Sequence, residues 1–279
     1  MSGADQPVTF AAMGTTWWVQ CDRVGLAGHA PPLVAQLEAA LSRFRTDSTL
    51  SRLNREREVT DALLAEVVQL ALTLREQTAG AFDPTLGREL ATWGYDRDFA
   101  TLPAASGVPA RHLAPLAVEV VGSRVTLDGP GALDLGGIAK GWAADRVAEA
   151  LRAAGGAWVV VDAGGDLRVS GRPTPLAAAD GSVVMIDEGG LATSSTLRRR
   201  WTCTDGTTAH HLLDPVDAAR AGGSVHTATV RAPTAAQADA WAKALVVRPA
   251  LTPVLRALGG HAWLGDTAGR WWTTTKEAA

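Results

Sequence analysis

The stretch Asp134-Leu-Gly-Gly-Ile-Ala-Lys-Gly-Trp-Ala-Ala-Asp145 joins a strand-like approach (residues 123–127, then 131–134) to a helix-like exit over residues 142–154. Three glycines at such a junction allow backbone amides to face an anion. Lys140 adds a compact positive charge, and Asp134 offers a carboxylate that can accept a hydrogen bond or help order a metal. A pyrophosphate suits that assembly. A tight turn that only packs a helix onto a strand suits it too, because glycine tolerates positive φ.

Lysine usage favours the first reading. Of 26 basic residues in the 279-residue chain, only Lys140, Lys243 and Lys276 are lysine. In a sequence that otherwise uses arginine, a lysine in a glycine loop reads as a placed charge, whereas Lys276 in the tail reads as ordinary surface.

Composition narrows the class. The chain is 47% hydrophobic and 20% charged, ordinary for a globular protein able to bury a large core. A net charge of -3 and a pI near 6.1 argue against nucleic-acid binding. The densest basic patch, Arg198-Arg-Arg-Trp201, reads as an exposed strand rather than a polyanion site. No apolar run reaches the roughly 20 residues of a bilayer span, and the first residues show no basic leader followed by an apolar core. Cytoplasmic residence without membrane insertion is the expectation. Cys21 and Cys203 make neither a disulfide framework nor a metal site.

Outward from the loop, residues 10–20 predict an opening strand with a Met-Gly-Thr turn. Leu33, Leu37, Leu41 and Phe44 repeat at fours and threes, the stripe of an amphipathic helix. Leu63, Val67, Leu70 and Leu74 mark a second helix over 61–78, with Gly80 as its C-terminal cap. An Asp83-Pro84 turn opens a short helix reaching Trp93, and residues 100–116 read as a loop. Strands follow at 158–161, 167–171, 182–186, 191–194, 197–203 and 209–213. Thr234 caps a clear helix to Val247, a shorter helix covers 253–258, and a hairpin closes the chain over 261–272. Helices and strands interleave without clean alternation, which predicts a mixed α/β or α+β fold rather than a doubly wound sheet. Residues 1–279 read as a single domain, with room for two interleaved subdomains.

Several segments carry possible chemistry in a fixed order: Met13-Gly-Thr15, Phe44-x-x-Asp47-Ser48-x-x-Ser51-x-x-Asn54, Gly80-Ala-Phe-Asp-Pro-Thr85, the Asp134 loop, Ala163-Gly-Gly-Asp166, Ala192-Thr-Ser-Ser195, His211-Leu-Leu-Asp-Pro215 and Ala238-Asp239. Each alone is weak. Their joint order, from Met13 to about Val247, resembles the ApbE family of magnesium-dependent FAD:protein FMN transferases. The resemblance implies a T-fold-related α+β architecture, with sheets flanked by helices around a central cleft. It also implies an activity: splitting FAD, attaching the FMN half through its phosphate to a threonine of an acceptor flavoprotein, and releasing AMP. FAD would be the bound substrate and Mg²⁺ the cofactor. Such phosphoryl transfer is mostly positioning and electrostatics.

By resemblance, Met13 would touch the flavin and Phe44 would stack near it, although Phe44 also fits the apolar face of its own predicted helix. Ala81, Phe82 and Asp83 match the adenosine side; Asp83 before Pro84 could equally just build the turn. Asp134, Lys140 and Lys243 match or adjoin ligand contacts. Gly137 matches a backbone carbonyl ligand of the metal, and Asp239 its carboxylate. Asp239 also reads as a solvated carboxylate paired with Lys243 four residues on, worth about 0.2–0.5 kcal/mol.

The sequence departs from the family pattern at two places. Lys243 stands where a threonine usually completes the metal site, either contacting phosphate itself or weakening Mg²⁺ by repulsion. Ser195 stands where glycine usually follows Ala-Thr-Ser. His211, with Asp214 nearby, is the candidate general base; an unperturbed histidine titrates near neutrality. Its alternative is a hydrogen bond to backbone that shapes the site. Lys140 joins it as a catalytic candidate. The second reading is a FAD-binding protein, or a pyrophosphatase giving FMN and AMP without an acceptor. A nicotinamide oxidoreductase is disfavoured, because the loop reads Gly-Gly-x-x-x-Gly rather than Gly-x-Gly-x-x-Gly.

Overall fold

A computed structural model describes residues 6–110 and 112–274, so Lys276 lies outside the described residues. Strands β1 (Val8–Ala12) and β2 (Thr15–Cys21) form a hairpin. Its Met13-Gly14 turn has φ of 50° and 67°, the left-handed pair whose twist matches that of the flanking strands. Helix α1 (Ala30–Leu41) follows, then α2 (Thr49–Glu56), β3 (Glu58–Thr60) and α3 (Ala62–Gln77). Next come α4 (Gly87–Thr92), β4 (Ala117–Val121), β5 (Arg124–Asp128) and α5 (Ala139–Ala153). Strands β6 (Val159–Ala163), β7 (Asp166–Ala177), β8 (Val183–Ser195), β9 (Arg200–Thr202), β10 (Thr208–His210) and β11 (Thr227–Ala232) continue the chain. Helices α6 (Ala235–Val247) and α7 (Thr252–Ala257) precede the closing pair β12 (His261–Gly265) and β13 (Trp271–Thr273).

Eight strands build one sheet in the order β1-β2-β6-β7-β8-β11-β12-β13, and every pairing in it is antiparallel. A three-stranded sheet (β3-β5-β4) and the β9–β10 hairpin complete the architecture, which is α+β, as expected. Local readings fail in instructive ways. Residues 131–134 are not a strand; they run beside the start of α4, where the Gly87 amide donates to the Ala132 carbonyl (2.9 Å) and the Asp134 amide to the Pro84 carbonyl (2.8 Å). Residues 182–186 and 191–194 belong to one 13-residue strand. Helix α2 shows no apolar stripe because it buries only Leu50 and Leu53; its start is set by Ser48, whose side chain caps the Ser51 amide. At the end of α3 the left-handed residues are Ala79 and Gly80, and Gly80 returns its amide to the Arg75 carbonyl (2.8 Å).

The principal core lies between the large sheet and α1, α3, α5 and α6, with Val34, Leu64, Val147, Val161, Val230 and Leu245 fully buried. A smaller cluster around Leu90, Trp93, Tyr95, Trp201 and Leu213 packs under β9 and β10. Residues of both clusters line one cleft.

Helices α5 and α6 touch backbone to backbone. Asp145 accepts hydrogen bonds from the Ala235 and Ala236 amides, both at 2.9 Å, at the start of α6. One turn earlier, Gly141 faces the Ala235 carbonyl so closely that a Cβ there would collide with it. Gly141→Ala should therefore destabilise the fold by about 1–3 kcal/mol, read as a lowered urea midpoint. An unchanged midpoint would show that the two helices can separate without penalty.

Candidate active site

The cleft encloses about 360 Å³, within the size range of small-molecule sites. One wall is aromatic. Phe44 packs against Tyr95 with ring centroids 5.3 Å apart and planes tilted by 60°, and Tyr95 meets Phe99 and Trp201 at 6.5 and 5.6 Å. The Arg43 guanidinium lies 4.3 Å from the Phe44 ring centroid and is ion-paired to Asp134. Phe44 is thus a cleft residue, not a core residue of α1. The helix ends at Leu41, and Ser42 turns the chain into extended backbone, which takes Phe44 off the helical face. Met13 lines the same cleft from its strained turn, with its amide held by Glu38 (3.0 Å).

The glycine loop is built differently from an amide cradle. The Gly136 amide is taken by Asp134 Oδ1 (2.6 Å), and the Ile138 and Ala139 amides both return to the Leu135 carbonyl (3.0 and 2.8 Å). These three donors are spent inside the turn and are not free to cradle an anion. Gly137 has a separate reason to be glycine. A Cβ there would lie 2.8 Å from Phe82 and 3.1 Å from the Lys243 stem.

Four charged groups meet behind the loop. Lys140 is ion-paired to Asp166 and lies 3.8 Å from Asp239 Oδ2; Lys243 is ion-paired to Asp239 Oδ1. Asp239 is buried, so its contact with Lys243 is not the solvated surface pair considered from the sequence. Burial alone would lower the Lys140 ammonium, but the Asp166 and Asp239 carboxylates more than offset that and hold its pKa above the ordinary value. Burial, together with the charge of Asp239, pushes the Asp166 carboxyl up.

Asp239 Oδ2 is a buried oxygen without a hydrogen-bond partner, and Gly137 lies one residue before the N-cap of α5, Ile138. Among the described residues no group of three or more His, Cys, Asp or Glu gathers to hold a metal. The donors therefore fit a hard cation that takes few protein ligands and shares its remaining positions with substrate oxygens.

His211 lines the cleft, and its Nδ1 is buried without a partner. Burial drives its pKa well below the ordinary 6.5, and Arg199, Lys243, His210 and Lys140 add to the effect. The ring is neutral across the physiological range, not poised at neutrality. Asp214 is not its orienting partner; that carboxylate builds the following turn by accepting the Val216 amide (3.0 Å). The neighbouring His210 is held by backbone, with Nε2 3.1 Å from the Ala221 carbonyl, and its pKa falls to about 4 through burial.

Of the residues singled out from sequence, Met13, Phe44, Ala81, Phe82, Asp83, Asp134, Gly137, Lys140, His211 and Lys243 all line the cleft, and Asp239 backs it through its contacts with Lys140 and Lys243. Asp83 is fully engaged: it pairs with Arg75 (2.8 Å) and accepts from the Thr85 amide and hydroxyl (2.9 and 2.7 Å), so it builds the turn. Sequence reasoning missed Arg43, Tyr95 and Arg199, and it quoted Asp166 within a segment without giving it a role. Tyr95 is the chain's single tyrosine. Arg199 belongs to the basic patch read as an exposed strand, yet β9 starts only at Arg200 and Arg199 lines the cleft.

The description "ApbE family" belongs to the family model that matches residues 13–254. The FAD:protein FMN transferase of Salmonella typhimurium is 29% identical over 280 residues, covering 88% of this chain and 79% of that one. That of Treponema pallidum is 30% identical over 250 residues, covering 77% and 69%. The crystal structure of the ApbE protein from Thermotoga maritima superposes with a TM-score of 0.82 at 25% identity, covering 96% of both chains. The apo flavinyl transferase ApbE of Pseudomonas stutzeri shares the fold, with a TM-score of 0.79 at 24% identity over 97% of this chain and 95% of that one. With the match spanning most of the chain and the motif residues gathered in one cleft, the chain belongs to the ApbE family.

Proposed function

We propose that this chain transfers the FMN half of FAD to a threonine hydroxyl of an acceptor flavoprotein and releases AMP, with Mg²⁺ as cofactor. The observation that carries the reading is the buried, unpartnered Asp239 Oδ2 beside paired lysines, at the charged end of a cleft whose other wall is aromatic. The isoalloxazine ring suits the Phe44–Tyr95 wall. The pyrophosphate suits the cationic end formed by Lys140, Lys243 and Arg199. Asp239 Oδ2 and the Gly137 carbonyl would hold the Mg²⁺, which supplies charge neutralisation on the phosphates.

In the reaction, the threonine oxygen forms a bond to the phosphorus of the FMN half and the bridging bond to AMP breaks. His211 takes the hydroxyl proton. A neutral imidazole is the form that can do so, and its suppressed protonation keeps it competent below the usual histidine range. AMP leaves carrying the bridging oxygen, stabilised by the cations that held the pyrophosphate.

The direct test is incubation with FAD, Mg²⁺ and an acceptor domain bearing the threonine. The expected result is an FMN-sized mass gain on the acceptor and equimolar AMP. AMP without acceptor labelling would instead favour the pyrophosphatase reading, to which Lys243 lends weight by engaging Asp239.

His211→Asn should lower kcat by about 10²–10⁴-fold while FAD still binds. Because the histidine pKa is depressed, kcat/KM of the parent protein should stay level as pH falls through 6.5, with the acid limb well below it. A half-height near 6.5 would contradict the neutral, desolvated ring.

Lys243→Thr should lower the Mg²⁺ concentration for half-maximal AMP release by about tenfold or more, since an ammonium no longer competes for Asp239. Manganese binding without FAD, followed by electron paramagnetic resonance, should strengthen in parallel. Equal affinities in the two proteins would remove Lys243 from the account of the metal.

A further inference from the structure

Arg199 stands apart from the other cations of the cleft. Arg43 is paired to Asp134, Arg45 to Asp47, Lys140 to Asp166 and Lys243 to Asp239. Arg199 lines the same cleft half-buried, yet among the described residues its guanidinium makes no hydrogen bond and no ion pair. Partly burying an uncompensated guanidinium costs free energy unless a ligand completes it.

Its backbone carries a second, independent signal. Arg199 has φ of 47°, the left-handed region in which a side chain with a Cβ is strained and glycine is not. It sits in the short connection between β8 and β9, where a glycine would make the same turn without strain. Strain kept at a cleft residue marks a side chain whose position matters.

The loop supplies a third consideration. The Gly136, Ile138 and Ala139 amides are consumed within their own turn, so they offer no ready cradle for the phosphates. A doubly anionic diester calls for side-chain charge as well, and the paired lysines are already neutralised by Asp166 and Asp239. A planar guanidinium with five donors can grip two phosphate oxygens at once.

We infer that Arg199 is the phosphate-gripping residue of the cleft, binding the pyrophosphate linkage of FAD through its guanidinium while the aromatic wall holds the flavin. This rests on the FAD reading proposed above. It assigns to Arg199 the discrimination between a flavin that carries phosphates and one that does not. Lys140 and Lys243 add their charge beside it while they hold the carboxylates in place.

The test compares the full-length parent protein with Arg199→Gly and Arg199→Lys, using FAD, FMN and riboflavin as probes and quenching of flavin fluorescence as the readout. Glycine accepts the 47° φ, so that variant removes the side chain and leaves the turn intact; an unchanged urea midpoint checks the fold. FAD affinity should fall about 10–100-fold in Arg199→Gly, the loss of one charge-assisted contact, while riboflavin affinity stays within about twofold. Arg199→Lys should recover part of the loss, and the salt dependence of FAD binding should be shallower in the glycine variant. An unchanged ratio of FAD to riboflavin affinity in Arg199→Gly overturns the inference, whether both affinities hold or both fall together. Parent protein that transfers FMN while Arg199→Gly keeps that ratio sinks the inference alone; parent protein that neither binds FAD nor labels an acceptor sinks it together with the transferase reading.

Discussion

The chemistry of the cleft depends on one buried carboxylate. Asp145 of α5 gives both oxygens to the first amides of α6, two donors that would otherwise be orphaned at a buried helix start. Burial pushes its pKa up to about 6 against those bonds, and in its ionised form it faces the positive end of the α6 dipole. Gly141 removes the Cβ that would hold the helices apart. Lys140 precedes Gly141 by one residue, and Asp239 lies one turn into α6. The backbone contact brings the two positions together, and the ion pair with Asp166 places Lys140 Nζ 3.8 Å from Asp239 Oδ2.

That rigidity makes the charged quartet tolerable. Lys140, Lys243, Asp166 and Asp239 sum to zero and come from α5, α6 and the first residue of β7. The turn before Asp166 is Gly164-Gly165, with φ of 72° and 99°, and Asp162 holds the Gly165 amide at 2.7 Å. Buried ion pairs are poor sources of stability, because desolvation cancels most of their attraction. A quartet held by helices and a glycine turn is better explained by what it leaves over: one buried Asp239 oxygen with no partner. Both lysines of the described chain are committed to that arrangement.

Much of this was legible in the sequence, for a physical reason. Helices α1, α3, α5 and α6 are long enough to show a repeating apolar face, and Thr234 is readable as a side-chain cap, whereas Asp61, read as helical, is the cap of α3. Most motif segments were legible because they are turns or helix ends whose residues have few alternatives; residues 192–195 lie inside β8 and Asp239 inside α6. What stayed hidden was set by tertiary contact. Tyr95 and Arg43 acquire meaning only where the α1–α2 connection meets the loop after α4, since the Arg43 guanidinium bonds the Tyr95 carbonyl as well as Asp134. Phe44 continued the 3–4 spacing of α1, and only Ser42, in extended conformation, ends the helix before it. The commitment of the loop amides is likewise invisible, because a Gly-Gly turn that binds itself and one that binds an anion share the same residues.

The loop's glycines then take on a different purpose. Gly137 is small because Phe82 and the Lys243 stem crowd it, and Gly141 is small because the α6 backbone does. Both let other elements come close. A phosphate site made from backbone amides is hard to tune, since only a proline removes a donor and it also constrains the turn. A site made from side chains on α5, α6 and the β8–β9 connection can be adjusted one charge at a time. On the function proposed above, Lys243 would set the demand for metal and Arg199 the grip on phosphate, each separately, while the Asp145 contact keeps the helices in register.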